Sequence, residues 1–144
     1  SIISNKDPVK SILLSVKDIA YNTNVKAIIV FSNSGKSAKL VSAMRPAAKI
    51  LTISPNINVS RQVSLLWGVQ SINSRDANGW KDMMSISKEI IKKLKFIKKN
   101  DFVVITAGLP FGKAGMTNMV RLYKVDFQIQ EYMYITNPWV SSLH

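Results

Sequence analysis

Apolar positions along the chain follow two different periods. Short runs rich in β-branched residues are typical of buried strands, and apolar positions three or four residues apart are typical of amphipathic helices. On this basis we predict strands and helices in alternation. The predicted helices are Pro8–Tyr21, Ser37–Met44, a short helix capped by Asn58 and closed by Gly68, and Trp80–Ile97, and the predicted strands are Ala27–Phe31, Lys49–Ile53, Val69–Ile72, Phe102–Thr106 and Met119–Val125.

Strands that alternate with helices through short connections predict an α/β fold. We expect a single three-layer domain with a mostly parallel five-stranded sheet and helices on both faces. Asp7 is the predicted N-cap of the first helix. The domain is placed at residues 1–125, and residues 126–144, whose apolar periodicity is weak, form a C-terminal extension of unknown role.

A polar glycine-containing hexapeptide separates the first predicted strand from the second helix. A loop of this kind directs backbone N–H groups and the positive end of a helix towards one point, which suits an anion such as phosphate. Hydroxyl and ammonium groups add donors, so we predict a site for a phosphorylated small molecule. A well-capped helix start is the structural alternative. The residues concerned are Ser32, Asn33, Ser34, Gly35, Lys36 and Ser37.

A second glycine-rich loop, Gly108–Gly115, directly follows the predicted strand Phe102–Thr106. Ligands of open parallel sheets bind outside the carboxyl ends of the strands. We therefore expect both loops to lie at the same edge of the sheet and to form one site. The candidate binding residues of the second loop are Gly108, Gly112, Lys113 and Gly115.

Composition narrows the class of protein. A chain of 144 residues with 47% hydrophobic residues is long and apolar enough to form one folded domain. It contains no cysteine, which excludes disulfides, thiol catalysis and thiolate metal sites. No apolar segment reaches the ~18 residues of a membrane-spanning helix, and Ser1–Lys10 does not resemble a secretory signal, so we expect a cytoplasmic protein.

The formal net charge of +12 raises the question of a nucleic-acid partner. The basic residues are mostly lysines spread along the chain. The densest group falls near the end of a predicted helix, where cations favour the helix dipole, and few aromatic residues separate its members. We therefore expect a solvated basic face, and a stand-alone RNA- or phosphate-binding module is the alternative. The group consists of Lys92, Lys93, Lys95, Lys98 and Lys99.

The sequence offers no recognisable catalytic set. His144 is the only histidine and is terminal, and the eight acidic residues form no pair spaced for general acid–base catalysis. Residues 34–37 lack the upstream glycine of a nucleotide-binding P-loop, so we exclude an NTPase. We predict neither catalytic nor metal-binding residues, and no cofactor, in this chain.

Three segments together resemble the C-terminal domain of pyruvate kinases. They are Ala27–Pro46 (AIIVFSNSGKSAKLVSAMRP), Ile50–Gly68, with ILTISPN and RQVSLLWGV, and Lys98–Val125 (KKNDFVVITAGLPFGKAGMTNMVRLYKV). The form AGxPxGKxGxTN is similar to that of bacterial members. The resemblance covers about Pro8–Val125, and the order and spacing of the segments make it specific.

The resemblance implies a regulatory domain of an enzyme that converts phosphoenolpyruvate and ADP to pyruvate and ATP in glycolysis. Catalysis, with Mg²⁺ and K⁺, would belong to a (β/α)₈ barrel outside this chain. The domain would bind a phosphorylated effector, such as fructose 1,6-bisphosphate, a sugar monophosphate or AMP, and contribute to a homo-oligomer, a dimer or tetramer. No membrane partner is expected.

The resemblance also assigns roles to the two loops. The phosphate pocket of the family corresponds to Ser32–Ser37, and its effector loop to Gly108–Gly115 with Thr117–Asn118 at its end. Leu109 and Pro110 stand near the tryptophan and arginine of the enzymes that bind fructose bisphosphate. A monophosphate effector is therefore expected. A purely structural domain with vestigial loops remains the third hypothesis, and Trp80 is interpreted as a packing residue.

Overall fold

The computed structural model describes residues 8–107 and 119–127, which form one α/β unit. Its elements alternate from helix to strand as the apolar pattern predicts, up to the fourth strand. The helices are α1 (Pro8–Asn22), α2 (Lys36–Ala43), α3 (Ile57–Val63) and α4 (Trp80–Lys93), and the strands are β1 (Ala27–Phe31), β2 (Lys49–Ser54), β3 (Val69–Asn73), β4 (Phe102–Ala107) and β5 (Met119–Lys124).

The five strands form one sheet in the order β3-β2-β1-β4-β5. Strands β1 to β4 are mutually parallel, and β5 is antiparallel to β4. The chain runs outward from β1 through β2 to β3 and then returns to place β4 on the other side of β1. This reversal creates a topological switch point between β1 and β4.

Both faces of the sheet are covered, which confirms the predicted three layers. Ile29 and Phe31 of β1 face α4 in one cluster, whereas Ile28 and Val30 face α1 and α2 in another. All five residues of β1 are consequently buried. This explains why β1 is continuously apolar rather than alternating, as parallel strands at the centre of a sheet usually are.

Helix α3 differs from the prediction at both ends. Its N-cap is Asn56, whose Oδ1 accepts hydrogen bonds from the backbone N–H groups of Asn58 (2.9 Å) and Val59 (3.4 Å), so the prediction of Asn58 as the cap is wrong. The helix ends at Val63, and Gly68 does not close it. Gly68 (φ 70°) instead leads into β3, and its carbonyl accepts from Ile50 N at 3.0 Å.

Helix α4 ends at Lys93, earlier than the predicted Ile97. Leu94 has an extended backbone (φ −96°, ψ 125°), yet both Leu94 and Ile97 pack against the core beneath α4. The apolar spacing therefore continues beyond the helix because the following turn still covers the same face of the sheet. Spacing alone could not reveal the change in backbone conformation.

Some predictions lie outside the described residues: the Asp7 cap, the loop 108–118 and residues 128–144. Among the helices that the structure describes, none is long and apolar enough to span a bilayer. Within the same residues, no group of three or more histidine, cysteine or acidic side chains is arranged to hold a metal ion.

Candidate functional site

The candidate site lies at the carboxyl ends of β1 and β4. These strands are direct neighbours, and their last residues, Phe31 and Ala107, are partners in the parallel register. Beyond them the chain enters the segment 32–35 on one side and the segment that begins at residue 108 on the other. The connections diverge at a switch point, where open α/β sheets form their ligand crevices.

The loop after β1 is held by its own hydroxyl groups. The Ser32 Oγ accepts a hydrogen bond from Gly35 N at 2.9 Å, and the Ser34 Oγ accepts one from Lys36 N at 3.3 Å. The backbone of Ser32 is tied to β2, because its N–H donates to Ile53 O at 3.0 Å. The serines therefore build the turn and use part of their acceptor capacity to do so.

Gly35 is required where it stands. It has a φ of 85°, a conformation that side chains disfavour, and an added Cβ would lie 3.0 Å from Val63 Cγ1 and 3.4 Å from Val59 Cγ1. The close approach of α3 thus fixes the position of the turn. The absence of a Cβ brings the loop against that helix.

The first turn of α2 directs its donors out of the sheet edge. Lys39 N makes a helical hydrogen bond with Gly35 O at 3.0 Å. The preceding amides, of Ser37 and Ala38, lie in the turn where a helix supplies no acceptor of its own. Ser34 and Lys36 are exposed beside them. The arrangement offers an anion both N–H groups and an ammonium group.

Asn33 adds a feature that its sequence position did not single out. Its Oδ1 is buried and has no hydrogen-bond partner among the described residues. A buried amide oxygen without a partner costs free energy, about 1–3 kcal/mol. The oxygen is an acceptor, so it suits a hydroxyl or N–H group of a ligand rather than its phosphate.

The second loop, with Gly108, Gly112, Lys113 and Gly115, lies outside the described residues. Its two anchors are described. Ala107 and Met119 pair across β4 and β5, and the Thr106 Oγ1 donates to Met119 O at 2.7 Å. The loop therefore starts and ends at the edge that carries Ser32–Ser37, as the sequence predicts. The contacts of its four candidate residues stay a prediction.

A groove between α4 and β5 opens near the same edge, with a volume of about 490 Å³. The Arg121 guanidinium stacks over the Trp80 ring, 5.6 Å from its centroid. Arg121 pairs with Ile105, two residues before the end of β4. Trp80 also packs against the core, as predicted, but its partner Arg121 was not foreseen. The lining residues are Trp80, Lys81, Met84, Ser85, Lys88 and Arg121.

An ion pair fixes the turn that precedes α4. Arg75 and Asp82 approach to 2.6 Å, and an Asp82 carboxylate oxygen also accepts from Asn78 N at 2.7 Å. The hydrogen bond from Asn78 N, followed by that from Arg75, lowers the pKa of Asp82. Gly79, the N-cap residue of α4, has no side chain to cap the helix. Asp82 in the first turn stabilises the start of α4 instead, through its contacts with Asn78 and Arg75.

A second polar pair lies next to Lys88, one of the residues that line the groove. The Tyr123 hydroxyl donates to the Asp126 Oδ1 at 2.6 Å. Burial, and then this hydrogen bond, raises the pKa of Tyr123 to about 12. The same bond lowers the pKa of Asp126. Lys88 lies over the Tyr123 ring at 5.7 Å, so the pair is part of the framework that holds β5 against α4.

Comparison with known proteins gives one family. Residues 10–123 match the family described as pyruvate kinase, alpha/beta domain. Similar relatives named pyruvate kinase come from Staphylococcus aureus strains USA300, NCTC 8325 and bovine RF122. Each is 32% identical over 121 residues, which cover 84% of this chain and 21% of the relative. The chain thus spans about a fifth of the length of these relatives. It belongs to the pyruvate kinase alpha/beta domain family.

Proposed function

We propose that this chain is the effector-binding and oligomerising domain of a pyruvate kinase. The parent enzyme would transfer phosphate from phosphoenolpyruvate to ADP in a (β/α)₈ barrel that holds Mg²⁺ and K⁺. The observation that carries the proposal is the pairing of Phe31 with Ala107. These two residues end adjacent strands at the switch point, and each strand is followed by a polar loop that contains glycine.

The phosphate of the effector would bind at the start of α2. Neutral and charged donors lie together here. The neutral donors are the Ser34 hydroxyl and the amides of the first helical turn, and the charged donor is the Lys36 ammonium; both side chains are exposed. No acidic residue occurs between Thr23 and Gln70, so the loop carries no opposing side-chain charge of its own. Lys113 of the second loop would add a further cation.

The rest of the effector would extend over the sheet edge. The Asn33 Oδ1 is closed to solvent, so it would accept from a sugar hydroxyl or from the amino group of a base only after the loop rearranges around the ligand. A sugar phosphate or AMP satisfies both demands, whereas inorganic phosphate satisfies only the first. The site should therefore prefer a phosphorylated metabolite with polar hydrogen-bond donors to a simple anion.

Regulation would follow from differential affinity. A ligand shifts an equilibrium between two assemblies only when it binds one of them more tightly. Both loops begin at the ends of the central strands β1 and β4, so a ligand bound at this edge would contact segments that are joined directly to the centre of the sheet. In a homodimer or homotetramer such a bias would reach the barrel, where the reaction would take place.

A melting experiment tests the proposal. The chain is heated with a series of sugar monophosphates, fructose 1,6-bisphosphate, AMP and inorganic phosphate at low ionic strength. A ligand at a hundredfold excess over its Kd stabilises the folded state by about 2.7 kcal/mol. A rise in Tm with at least one phosphorylated metabolite, larger than that with phosphate, supports the proposal. No rise with any of them contradicts it.

A further inference from the structure

The loop between β3 and α4 contains the only Asn–Gly dipeptide of the 144-residue chain, Asn78–Gly79. Asn78 is exposed, and α4 begins directly after Gly79. Asparagine is thermolabile because the backbone nitrogen of the next residue can attack its side-chain carboxamide. A glycine in that next position obstructs the attack least, since it has no Cβ. The dipeptide is therefore a candidate for spontaneous modification, and the surrounding structure decides whether the reaction can occur.

The structure leaves both reacting groups of this dipeptide free. The Gly79 N–H donates to no acceptor among the described residues, and the Asn78 carboxamide has no hydrogen-bond partner among them either. Gly79 has a φ of 87° and a ψ of −178°, a conformation that is almost restricted to glycine. A Cβ added to it would meet no atom within 4 Å. Open space thus surrounds Gly79, and no hydrogen bond has to break before its nitrogen can react.

Asn73, at the end of β3, is also exposed but is held in the opposite way. The nitrogen that would attack it belongs to Ser74, and this N–H donates to Ser54 O at 3.0 Å. The Asn73 Nδ2, which would leave, donates to the same oxygen at 3.1 Å. Both hydrogen bonds have to open before Asn73 can react. The fold therefore protects Asn73 and leaves Asn78 unprotected.

We propose that Asn78 is a site of spontaneous deamidation, which converts it to a mixture of isoaspartate and aspartate. A bond forms between Gly79 N and Asn78 Cγ, the Cγ–Nδ2 bond breaks, and Nδ2 leaves as ammonia with the proton of the Gly79 amide. Water then opens the cyclic imide. Attack of water at Cγ gives aspartate, and attack at the main-chain carbonyl gives isoaspartate. Water is the only co-reactant.

The modification alters the start of α4. Asn78 N donates to the Asp82 Oδ2 at 2.7 Å, and Met83 N donates to Gly79 O at 3.1 Å. Isoaspartate inserts a methylene group into the backbone between these two hydrogen bonds, so both cannot keep their present geometry. Either product also places a new carboxylate close to Asp82. Deamidation should therefore loosen the first turn of α4.

The test follows Asn78 and Asn73 in the same molecules. The chain is incubated at mildly alkaline pH, either folded or unfolded in urea, and peptide mass spectrometry measures the fraction of each asparagine that is converted. An isoaspartyl methyltransferase with labelled S-adenosylmethionine reports isoaspartate. Asn78→Gln is the matched variant, because glutamine would have to form a larger ring while its backbone N–H can still donate to Asp82.

In the folded chain, we expect Asn78 to be converted at least about tenfold faster than Asn73, because a hydrogen-bonded group reacts only after local opening. Unfolding should accelerate Asn73 about tenfold or more and Asn78 less than about threefold, since only Asn73 loses protecting bonds. Asn78→Gln should remove most of the methyltransferase label. Hydrogen exchange at Met83 N should become faster as wild type ages, but not as Asn78→Gln ages.

Conversion of Asn78 in the folded chain that is as slow as that of Asn73 overturns the proposal. An equal acceleration of both asparagines on unfolding also overturns it, because the fold would then protect Asn78 too. Label that persists in Asn78→Gln would place the isoaspartate elsewhere and contradict it. The effector-induced rise in Tm is measured on freshly prepared chain, so neither result depends on the other.

Discussion

Phe31 and Ala107 are opposite each other in the parallel pairing of β1 and β4, and each is the last residue of its strand. This single relationship brings together the starting points of two loops that are more than seventy residues apart in the chain. It also places them on the line where the chain direction across the sheet reverses. The proposed effector site depends on it.

Gly35 should not tolerate a side chain. Gly35→Ala introduces a residue at a φ of 85° and a Cβ 3.0 Å from Val63 Cγ1. Backbone strain of this kind costs on the order of 1–3 kcal/mol, and the contact adds to it. Urea denaturation should show a lower free energy of unfolding. In a Val63→Ala background the cost of Gly35→Ala should be smaller, and an equal cost would show that the contact is unimportant.

Mutagenesis can test directly whether Asn56 or Asn58 caps α3. Asn56→Ala removes the oxygen that accepts from Asn58 N and Val59 N, so it should lower the free energy of unfolding by ~1 kcal/mol. Asn58→Ala is the matched control, since Asn58 is also exposed, and it should change the free energy of unfolding by less than about 0.5 kcal/mol. A larger loss from Asn58→Ala would reinstate Asn58 as the cap.

The Tyr123–Asp126 pair should make the free energy of unfolding decrease at both low and high pH. The pKa of Asp126 is lowered in the folded state, so its contribution is present above the unfolded pKa and is lost as pH falls through the folded value. The pKa of Tyr123 is raised to about 12, so its contribution is complete below pH 10 and is lost as pH rises through about 12.

Tyr123→Phe removes the hydroxyl group that donates a hydrogen bond to the Asp126 carboxylate. The carboxyl resonance of Asp126 in an NMR titration should then show a pKa closer to its ordinary value. Asp82 lies in a separate pair with Arg75 and serves as the internal control, because its titration should not change. An unaltered Asp126 titration in the variant would contradict the assignment of the shift to Tyr123.

Much of the fold follows from the apolar pattern. Strand β1 has its predicted bounds, because an uninterrupted apolar run that contains three β-branched residues has few alternatives beside a polar loop. That both loops begin at the same edge of the sheet followed from strand polarity alone. The order of the strands could not be predicted from the sequence, because no residue of β4 indicates that this strand lies beside β1 rather than β3.

The errors have physical causes. Asn56 and Asn58 are both good capping residues, and only the path of the chain after Pro55 decides between them. The helical apolar spacing of Val59, Val63 and Trp67 predicts a buried Trp67, whereas α3 ends at Val63 and Trp67 is 46% exposed beneath Arg45. The Arg121–Trp80 contact joins β5 to α4, and no local pattern reports a contact over such a separation.

The most direct test of the central claim is calorimetric titration of the chain with the phosphorylated metabolite that raises its Tm most, for wild type and Ser34→Glu. Ser34 is exposed, and a carboxylate before a helix favours the helix dipole, which offsets the loss of the 3.3 Å hydrogen bond from Lys36 N to the Ser34 Oγ, so the variant should fold about as well without ligand. Lys39→Ala, one turn further along α2, is the control for a simple loss of exposed charge. We predict that Ser34→Glu lowers affinity at least a hundredfold and that Lys39→Ala changes it less than threefold. Binding by Ser34→Glu with the affinity of the wild type would contradict an effector site at Ser32–Ser37.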